Sequence, residues 1–291
     1  MTDTARVAGW YNANADLEHN RLIDNRLEFA ISLHIIQQSL SSLLPTGPKR
    51  ILDLGGGTGR YAVELAKQGH NVTLVDISRA ELDQAKLHAQ ESGVALADII
   101  CADARDIRGI PGVFRKNHYD IVLCQGPLYH LLSIDERLHV LYSCMSATKR
   151  GGFVIAAFVT KYAHLRDLAQ REPLRLGREA GYYAKYLEMG EYTRNPRNVG
   201  HHTHRGEVRT LFGMCVGREG DEGDEGVRLE VERMVACESF LGGVLSAKLN
   251  GLDEEAFRPW FEVALEAAED PDVGTADHLL VVAKKVVSEK V

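Results

Sequence analysis

The sequence has few cysteines and no long apolar segment. The five cysteines are odd in number and far apart, at Cys101, Cys124, Cys144, Cys215 and Cys237. No C-x-x-C pair or Cys/His cluster has the spacing of zinc ligands, so we predict free thiols in a reducing compartment and no metal site. No stretch of about 18 apolar residues occurs, and no basic segment followed by an apolar one opens the chain. We therefore expect a cytoplasmic protein without a membrane partner.

The chain also lacks an excess of basic residues and any internal repeat. It has 291 residues with 34 basic and 41 acidic side chains, a formal net charge of −7. Sequence-independent nucleic-acid binding needs a basic surface that displaces counterions from phosphates, so we predict no nucleic-acid partner. With 45% hydrophobic residues, the length suits one large α/β domain, or a domain with a smaller cap.

Short apolar segments alternate with amphipathic helical patterns after Pro48. Five of these segments are typical of strands buried on both faces: Arg50–Leu54, Asn71–Val75, Asp98–Cys101, Tyr119–Cys124 and Gly152–Val159. Helical patterns fill the gaps, and a capping box at Ser133 and Glu136 predicts the start of one of these helices. Alternation of strand and helix predicts a doubly wound parallel sheet.

The two ends and one internal segment depart from this alternation. Apolar residues at helical spacing up to Leu44 predict an N-terminal helical lid over residues 1–48. The main core then covers residues 49–159, and a long segment without the strand–helix alternation predicts a substrate cap over 160–203. Residues 204–291 complete the core with two strands, of which the last runs antiparallel.

A glycine-rich turn follows the first predicted strand directly. Residues 53–60, DLGGGTGR, lead from this strand through a turn into a helix. Glycines at 55, 57 and 59 permit positive φ and close approach of a ligand, while the helix start offers unpaired N–H groups to an anion. The pattern indicates a nucleotide-type ligand, with a tight turn that binds nothing as the alternative.

Three carboxylates lie within or just after three successive strands. Asp76 ends the second strand, where it can accept hydrogen bonds from both hydroxyls of a ribose, and Asp103 follows the third, where it can meet an adenine amine. Asp53 lies on the first strand. Open α/β sheets bind ligands at this carboxyl edge, so the three together favour a nucleoside site. Each taken singly is equally well explained as a helix cap or a solvated turn.

An NAD(P)-dependent oxidoreductase is an alternative function. Residues 57–62 satisfy the relaxed G-x-G-x-x-A form, so the glycines do not exclude it. The charge of Asp53 would face a pyrophosphate unfavourably but suits the ammonium of an amino-acid moiety, whose carboxylate can sit on the helix N-terminus. A non-catalytic regulator or scaffold that keeps the cofactor pocket is a further alternative.

Five segments resemble, in order and spacing, the motifs of class I S-adenosylmethionine-dependent methyltransferases: residues 53–59, 72–78, 101–104, 119–125 and 151–155. Residues 126–131, GPLYHL, are similar to a signature of a subset that acts on small molecules. The resemblance implies an α/β Rossmann-like fold, a doubly wound seven-stranded mostly parallel sheet with an antiparallel last strand. It also implies S-adenosyl-L-methionine as cofactor and methyl transfer to N, O or S of a small molecule by in-line displacement.

The resemblance further implies which residues bind the cofactor: Tyr11, Arg21, Asp53, Gly55, Gly57, Asp76, Ile77, Asp103, Ala104 and Gln125. Asp53 and the two glycines would surround the methionine part, and Asp76 would hold the ribose. Ile77, Asp103 and the backbone of Ala104 would contact the adenine, and Gln125 would lie near the sulfonium. Tyr11 in the lid and Arg21 on the first helix would complete the pocket.

Acceptor chemistry is less clearly encoded. A general base helps if the acceptor is an alcohol, a phenol or a protonated amine, and neutral imidazole works near pH 7, so His130, His202 and His204 are candidate catalytic residues. A helix cap and a polar turn are the alternatives for them. The predicted cap holds half of the ten tyrosines among arginines, which suggests an aromatic or anionic acceptor. An ordinary amphipathic cap explains the same pattern.

Overall fold

The computed structural model describes residues 3–195, 198–217, 225–269 and 276–287. The strands, in chain order, are β1 (Arg50–Leu54), β2 (Asn71–Asp76), β3 (Asp98–Cys101), β4 (Tyr119–Cys124), β5 (Thr148–Val159), β6 (Glu191–Asn195), β7 (Asn198–His201), β8 (Val227–Ala236) and β9 (His278–Val287). Seven of them form one sheet in the order β3-β2-β1-β4-β5-β9-β8, and β6 pairs with β7. β1 to β5 are parallel, whereas β9 is antiparallel to both β5 and β8. The predicted fold class is confirmed.

Helices cover both faces of the sheet: α1 (Asp3–Asp24), α2 (Arg26–Ser41), α3 (Arg60–Lys67), α4 (Arg79–Glu91), α5 (Ile134–Ala147), α6 (Lys161–Arg171), α7 (Arg175–Arg178), α8 (Ala180–Met189), α9 (Arg205–Met214), α10 (Val244–Leu249) and α11 (Glu254–Ala268). One hydrophobic core joins the sheet to α5 and α9, and a second joins it to α2, α3, α4 and α11. Within the described ranges, no helix combines the length and apolarity needed to cross a membrane.

The two N-terminal helices differ in where they pack. Several apolar side chains of α2 are fully buried in the second core, among them Leu27, Ile31 and Ile35. α1 instead docks on α4, where the side-chain oxygen of Asn12 accepts hydrogen bonds from the Ser78 hydroxyl (3.0 Å) and the Ala80 backbone N–H (3.1 Å). Of residues 1–48, α2 therefore belongs to the core, and the predicted lid reduces to α1.

The predicted cap contains α6, α7, α8 and the β6–β7 hairpin. Its tyrosines build a small core of their own, in which Tyr183 and Tyr186 are buried beside Leu168. The guanidinium of Arg194 lies 4.6 Å from the centre of the Tyr182 ring. Arg194 thus packs on an aromatic ring of the cap, whereas Arg166 forms an ion pair with Asp277, just before β9.

The predicted capping box at the start of α5 is wrong. The Ser133 side chain makes no capping hydrogen bond. The carboxylate of Glu136 instead forms an ion pair with Arg105, which lies in the 3₁₀ turn after β3. The charge of Arg105, which lies outside the helix, thus attracts the Glu136 side chain that the sequence motif assigns to the capping box.

Candidate active site

A cavity of about 710 Å³ opens at the carboxyl edge of the sheet. Nine of the ten predicted cofactor-binding residues line it: Tyr11, Asp53, Gly55, Gly57, Asp76, Ile77, Asp103, Ala104 and Gln125. The tenth, Arg21, lies in α1, and its side chain falls outside the part of the chain that the structure describes. The structure therefore brings together residues from the ends of four strands, β1 to β4, and from the N-terminal helix, as the sequence motifs suggest.

The glycine turn presents bare backbone to the cavity. Gly55 and Gly57 have φ angles of +73° and +54°, which L-residues with side chains rarely adopt. A Cβ atom at Gly55 would lie 2.4 Å from Cδ of Pro127, and one at Gly56 would lie 2.5 Å from Oδ2 of Asp53. The space beside Asp53 is thus kept open by the absence of side chains.

Replacing Gly55 with alanine is expected to lower the free energy of unfolding by about 1–3 kcal/mol more than the same change at Gly69. Both glycines have positive φ, but a Cβ at Gly69 meets nothing within 4 Å, so only Gly55 adds a clash. Urea unfolding of the two variants measures the difference. Equal losses would show that the contact with Pro127 relaxes without cost.

Asp53 is a buried carboxylate, and one of its two oxygens receives no hydrogen bond from the described residues. It is 1% exposed, and no hydrogen-bond partner for Oδ2 is found in the described residues. Burial, and then the charge of nearby Asp76, raise the pKa of Asp53 to about 7. A cationic group placed beside Oδ2 would satisfy this oxygen and favour its charged form, so the site fits the ammonium of an amino-acid moiety.

Asp76 links the glycine turn to the end of β2. Its Oδ2 accepts a hydrogen bond from the Gly57 backbone N–H (2.9 Å), and its Oδ1 accepts one from the Ser78 N–H (2.8 Å). Each carboxylate oxygen can accept a second hydrogen bond. Asp76 is therefore held in a fixed orientation in which its oxygens can accept hydrogen bonds from the hydroxyl groups of a ribose.

Asp103 is more fully engaged than the sequence suggests. Its Oδ2 lies 2.7 Å from Nη2 of Arg105, and its Oδ1 accepts the Arg105 backbone N–H at 2.9 Å. Arg105 also pairs with Glu136, so one arginine joins two carboxylates at this end of the cavity. An adenine amine would have to share Asp103 with Arg105. Arg105 was not predicted from the sequence, because an Asp-x-Arg triplet with a distant glutamate carries no distinctive signal.

Tyr11 and His130 meet across the cavity entrance. Nδ1 of His130 lies 3.2 Å from the carbonyl oxygen of Val199, which requires a proton on Nδ1. Nε2 then accepts the hydrogen bond from the Tyr11 hydroxyl at 2.7 Å. The pair joins α1 to the turn after β4 and to β7, and the basic nitrogen of His130 is already occupied by Tyr11.

His202 and His204 do not line this cavity. Nδ1 of His202 lies 2.7 Å from the Tyr186 hydroxyl in the cap, and burial lowers the pKa of His202 to about 3. His204 caps α9 by accepting the Glu207 backbone N–H, beside a second cavity of about 250 Å³. Both predicted catalytic histidines thus have structural partners away from the cofactor residues.

The far end of the cavity contains residues that the sequence analysis missed. Glu28, Ser32, Ala157, Cys237 and His278 line it, on α2 and near the ends of β5, β8 and β9. They come from four distant parts of the chain, and no local motif marks them. An acidic residue on the apolar face of α2 is the one available signal.

Comparisons with known proteins indicate the family of this chain. A family model described as "Methyltransferase domain" matches residues 51–152. A ubiquinone biosynthesis O-methyltransferase from Chromobacterium violaceum is 31% identical over 171 residues, which are 57% of this chain and 68% of that protein. Further relatives of the same name are matched over 66%, 61% and 56% of their own lengths.

Two solved structures share the fold over nearly the whole chain. Magnesium protoporphyrin IX methyltransferase from Synechocystis, solved with bound SAM, has a TM-score of 0.56 at 14% identity and covers 98% of this chain and 97% of its own. 1,6-Didemethyltoxoflavin-N1-methyltransferase from Burkholderia thailandensis also has a TM-score of 0.56 at 14% identity, covering 97% of this chain and 88% of its own. At these identities the likeness concerns the fold.

Proposed function

Because the chain belongs to the class I S-adenosylmethionine-dependent methyltransferases, we propose that it transfers a methyl group to a small molecule bound beside the cofactor. The single observation that supports this most is the extent of the cavity. It runs from Asp53, Asp76 and Asp103, after β1, β2 and β3, to the far end beside β5 and β9. One cavity thus spans a cofactor half and a second half with room for an acceptor.

Each cofactor residue has a defined task in this proposal. S-adenosylmethionine, when bound, supplies an electrophilic methyl group on a sulfonium. Asp53 holds the ammonium, Asp76 holds the ribose, and the bare backbone of the glycine turn receives the carboxylate. Methyl transfer from a sulfonium needs alignment of donor and acceptor and exclusion of water, and no covalent nucleophile. The contact between Tyr11 and His130 provides closure.

The acceptor is not selected by the cap residues. In the described part of the cap, the tyrosines and arginines on which the prediction of an aromatic or anionic acceptor depends do not line the cavity. Among the lining residues that the structure describes, Arg105 is the one lysine or arginine, and it is paired with Asp103 and Glu136. The cap therefore lends no support to an aromatic or anionic acceptor, and we retain a small molecule as the acceptor.

Family membership also decides between methyl transfer and the two alternative functions considered from the sequence. A nicotinamide oxidoreductase and a non-catalytic scaffold are set aside in favour of methyl transfer. Equilibrium dialysis tests the choice: S-adenosylmethionine should bind in the micromolar range, while NAD⁺ and NADP⁺ should not bind. Binding of a nicotinamide cofactor alone would contradict the proposal.

We also propose that the protein is cytoplasmic and acts without nucleic-acid or membrane partners. The five free cysteines suit a reducing compartment, and the formal net charge of −7 disfavours contact with phosphate backbones.

Replacing Tyr11 with phenylalanine is expected to loosen the lid. Loss of the hydrogen bond to His130 removes about 0.5–1.5 kcal/mol, so S-adenosylhomocysteine should dissociate about three- to tenfold faster. Amide hydrogen exchange in α1 should accelerate as well. Stopped-flow dissociation measures the first effect, and Tyr162→Phe on the exposed surface of the cap is the matched control. If both variants release S-adenosylhomocysteine at the same rate, the hydrogen bond between Tyr11 and His130 does not hold α1 closed over the cavity.

A further inference from the structure

The second cavity, of about 250 Å³, lies beside the start of α9. Within the described ranges, it shares no lining residue with the first cavity, which contains the predicted cofactor residues. Its wall combines apolar side chains with an arginine: Ile134, Phe158, Val208, Leu211 and Arg137. The proposed methyl transfer uses none of these residues, so any function of the second cavity is a separate one.

Arg137, on α5, is buried, and only part of its guanidinium has partners. The residue is 5% exposed. Nη1 donates hydrogen bonds to the carbonyl oxygens of Leu131 at 2.7 Å and Leu132 at 2.9 Å, which uses both of its N–H groups. The described residues provide no hydrogen-bond acceptor for Nε or Nη2, and no carboxylate at ion-pair distance. The guanidinium thus keeps one edge, with two parallel N–H groups, for a ligand.

The acidic residue in the wall of the second cavity does not pair with Arg137. The carboxylate of Glu207 instead accepts a hydrogen bond from Nε2 of His201. Burial acts to raise the pKa of Glu207, but this hydrogen bond holds it below its ordinary value. Burial also lowers the pKa of Arg137, and the charges of Glu207 and Glu191 offset that effect only in part. A ligand carboxylate beside Nε and Nη2 would supply the partner that Glu207 does not.

We propose that the second cavity binds a small organic carboxylate, whose two oxygens accept hydrogen bonds from Nε and Nη2 of Arg137. A planar guanidinium and a planar carboxylate match in this two-bond arrangement. The apolar body of the ligand packs on Phe158, Val208 and Leu211, which suit a hydrocarbon better than the further oxygens of a phosphate. The first turn of α9 borders the same cavity, and the N-terminus of a helix favours an anion.

This carboxylate site differs from the acceptor site of the proposed methyl transfer. The predicted cofactor residues line the first cavity, whereas Arg137 lines the second. Leu131 and Leu132 separate the two, because both line the first cavity while their carbonyl oxygens accept hydrogen bonds from Arg137. The ligand of the second cavity is therefore not the methyl acceptor, and the inference does not depend on methyl transfer.

Three probes test the chemistry of the ligand: 3-methylbutanoate, its neutral amide 3-methylbutanamide, and acetate. The amide keeps the shape without the charge, and acetate keeps the charge without the apolar body. Each is titrated into the protein at pH 7.5 and followed by ligand-observed NMR. We expect 3-methylbutanoate to bind with a millimolar or lower dissociation constant, about tenfold more tightly than either of the others. If it binds no more tightly than the amide or acetate, or does not bind, the proposal is overturned.

Two variants locate the site. Arg137→Lys keeps the positive charge but loses the two-bond edge, so it should weaken binding of 3-methylbutanoate about tenfold. Gly206→Leu adds a side chain at the wall of the cavity and should weaken it by a similar factor. Gly213→Leu, on the exposed face of the same helix, is the matched control, because a Cβ there meets nothing within 4 Å.

Unchanged affinity in Gly206→Leu, or in a folded Arg137→Lys, would overturn the assignment to the second cavity. If Arg137→Lys does not fold, the comparison of Gly206→Leu with Gly213→Leu decides alone. Saturating S-adenosylhomocysteine should leave the binding of 3-methylbutanoate unchanged, and its displacement would place the probe in the first cavity and contradict the inference. Failure of the protein to bind S-adenosylhomocysteine would overturn the proposed function and not the carboxylate site.

Discussion

Replacing Asp53 with asparagine is expected to weaken S-adenosylmethionine binding about 10- to 100-fold, because the ammonium loses a charged hydrogen-bond acceptor. The same change should stabilise the ligand-free protein at pH 8. Burial beside Asp76 raises the pKa of Asp53 to about 7 from its ordinary value of 3.8. At pH 8 the unaltered protein therefore holds a buried negative charge that asparagine lacks.

The sign of the pH dependence follows from the raised pKa. Protonated Asp53 is favoured in the folded state, so its contribution to stability is complete below about pH 3.8 and is lost as the pH rises through about 7. A difference of about three pH units corresponds to a loss on the order of 4 kcal/mol. Urea unfolding at pH 5 and pH 8 should show a smaller loss in Asp53→Asn than in the unaltered protein.

Cofactor binding should have the opposite pH dependence in the unaltered protein. Asp53 must lose its proton to pair with the ammonium, so S-adenosylmethionine should bind more weakly as the pH falls below 7. Titration calorimetry measures this, and Asp83→Asn, on the exposed face of α4, is the matched control. Identical affinity and pH dependence in Asp53→Asn and the unaltered protein would show that Asp53 does not meet the ammonium.

Asp76→Ala is expected to reduce cofactor affinity by about 1.5–3 kcal/mol, which is the loss of hydrogen bonds to a charged acceptor. It should also lower the free energy of unfolding by about 1–3 kcal/mol, because the N–H groups of Gly57 and Ser78 lose their acceptor. Both effects come from one carboxylate that serves the loop and the ligand together.

A ligand without ribose hydroxyls separates these two effects. S-adenosylhomocysteine and its 2′,3′-dideoxy analogue should differ in affinity for the unaltered protein, and this difference should largely vanish in Asp76→Ala. If the two ligands differ by the same amount in both proteins, Asp76 supports the loop but does not hold the ribose.

Much of the sheet and half of the cavity could be predicted from local sequence. β1, β3 and β4 have the predicted bounds. β1 and β4 are buried on both faces and appear as continuous apolar segments ended by glycine or polar residues. The prediction that β3 is also buried on both faces is wrong, because β3 is the edge strand and its residues are exposed or half-buried. The turn at Gly55 and Gly57 is recognisable in the sequence by its glycines, which the fold requires because side chains would clash there. Asp53 and Asp76 follow from their positions at successive strand ends.

The other half of the cavity depends on packing that no local pattern contains. Glu28, Glu238 and His278 are brought together only when α2 packs on the sheet and β9 inserts between β5 and β8. The cap tyrosines carry the same sequence signal whether they bind a ligand or pack together, and in this fold Tyr183 and Tyr186 pack together.

Histidines illustrate the same limit. His130, His202 and His204 are equivalent as candidates in the sequence, yet only His130 lines the cavity. His202 contacts Tyr186, and His204 caps the start of α9. Both contacts depend on how residues 160–203 fold back on the rest of the chain. Tertiary contacts, rather than residue type, decide which imidazole is near the cofactor residues.

The structure of the complex with S-adenosylhomocysteine tests the central claim most directly. We predict the ammonium within hydrogen-bond distance of Oδ2 of Asp53, both ribose hydroxyls on Asp76, and the adenine against Ile77, with open space toward His278. A ligand bound outside this cavity, or a ribose that does not touch Asp76, would contradict the account.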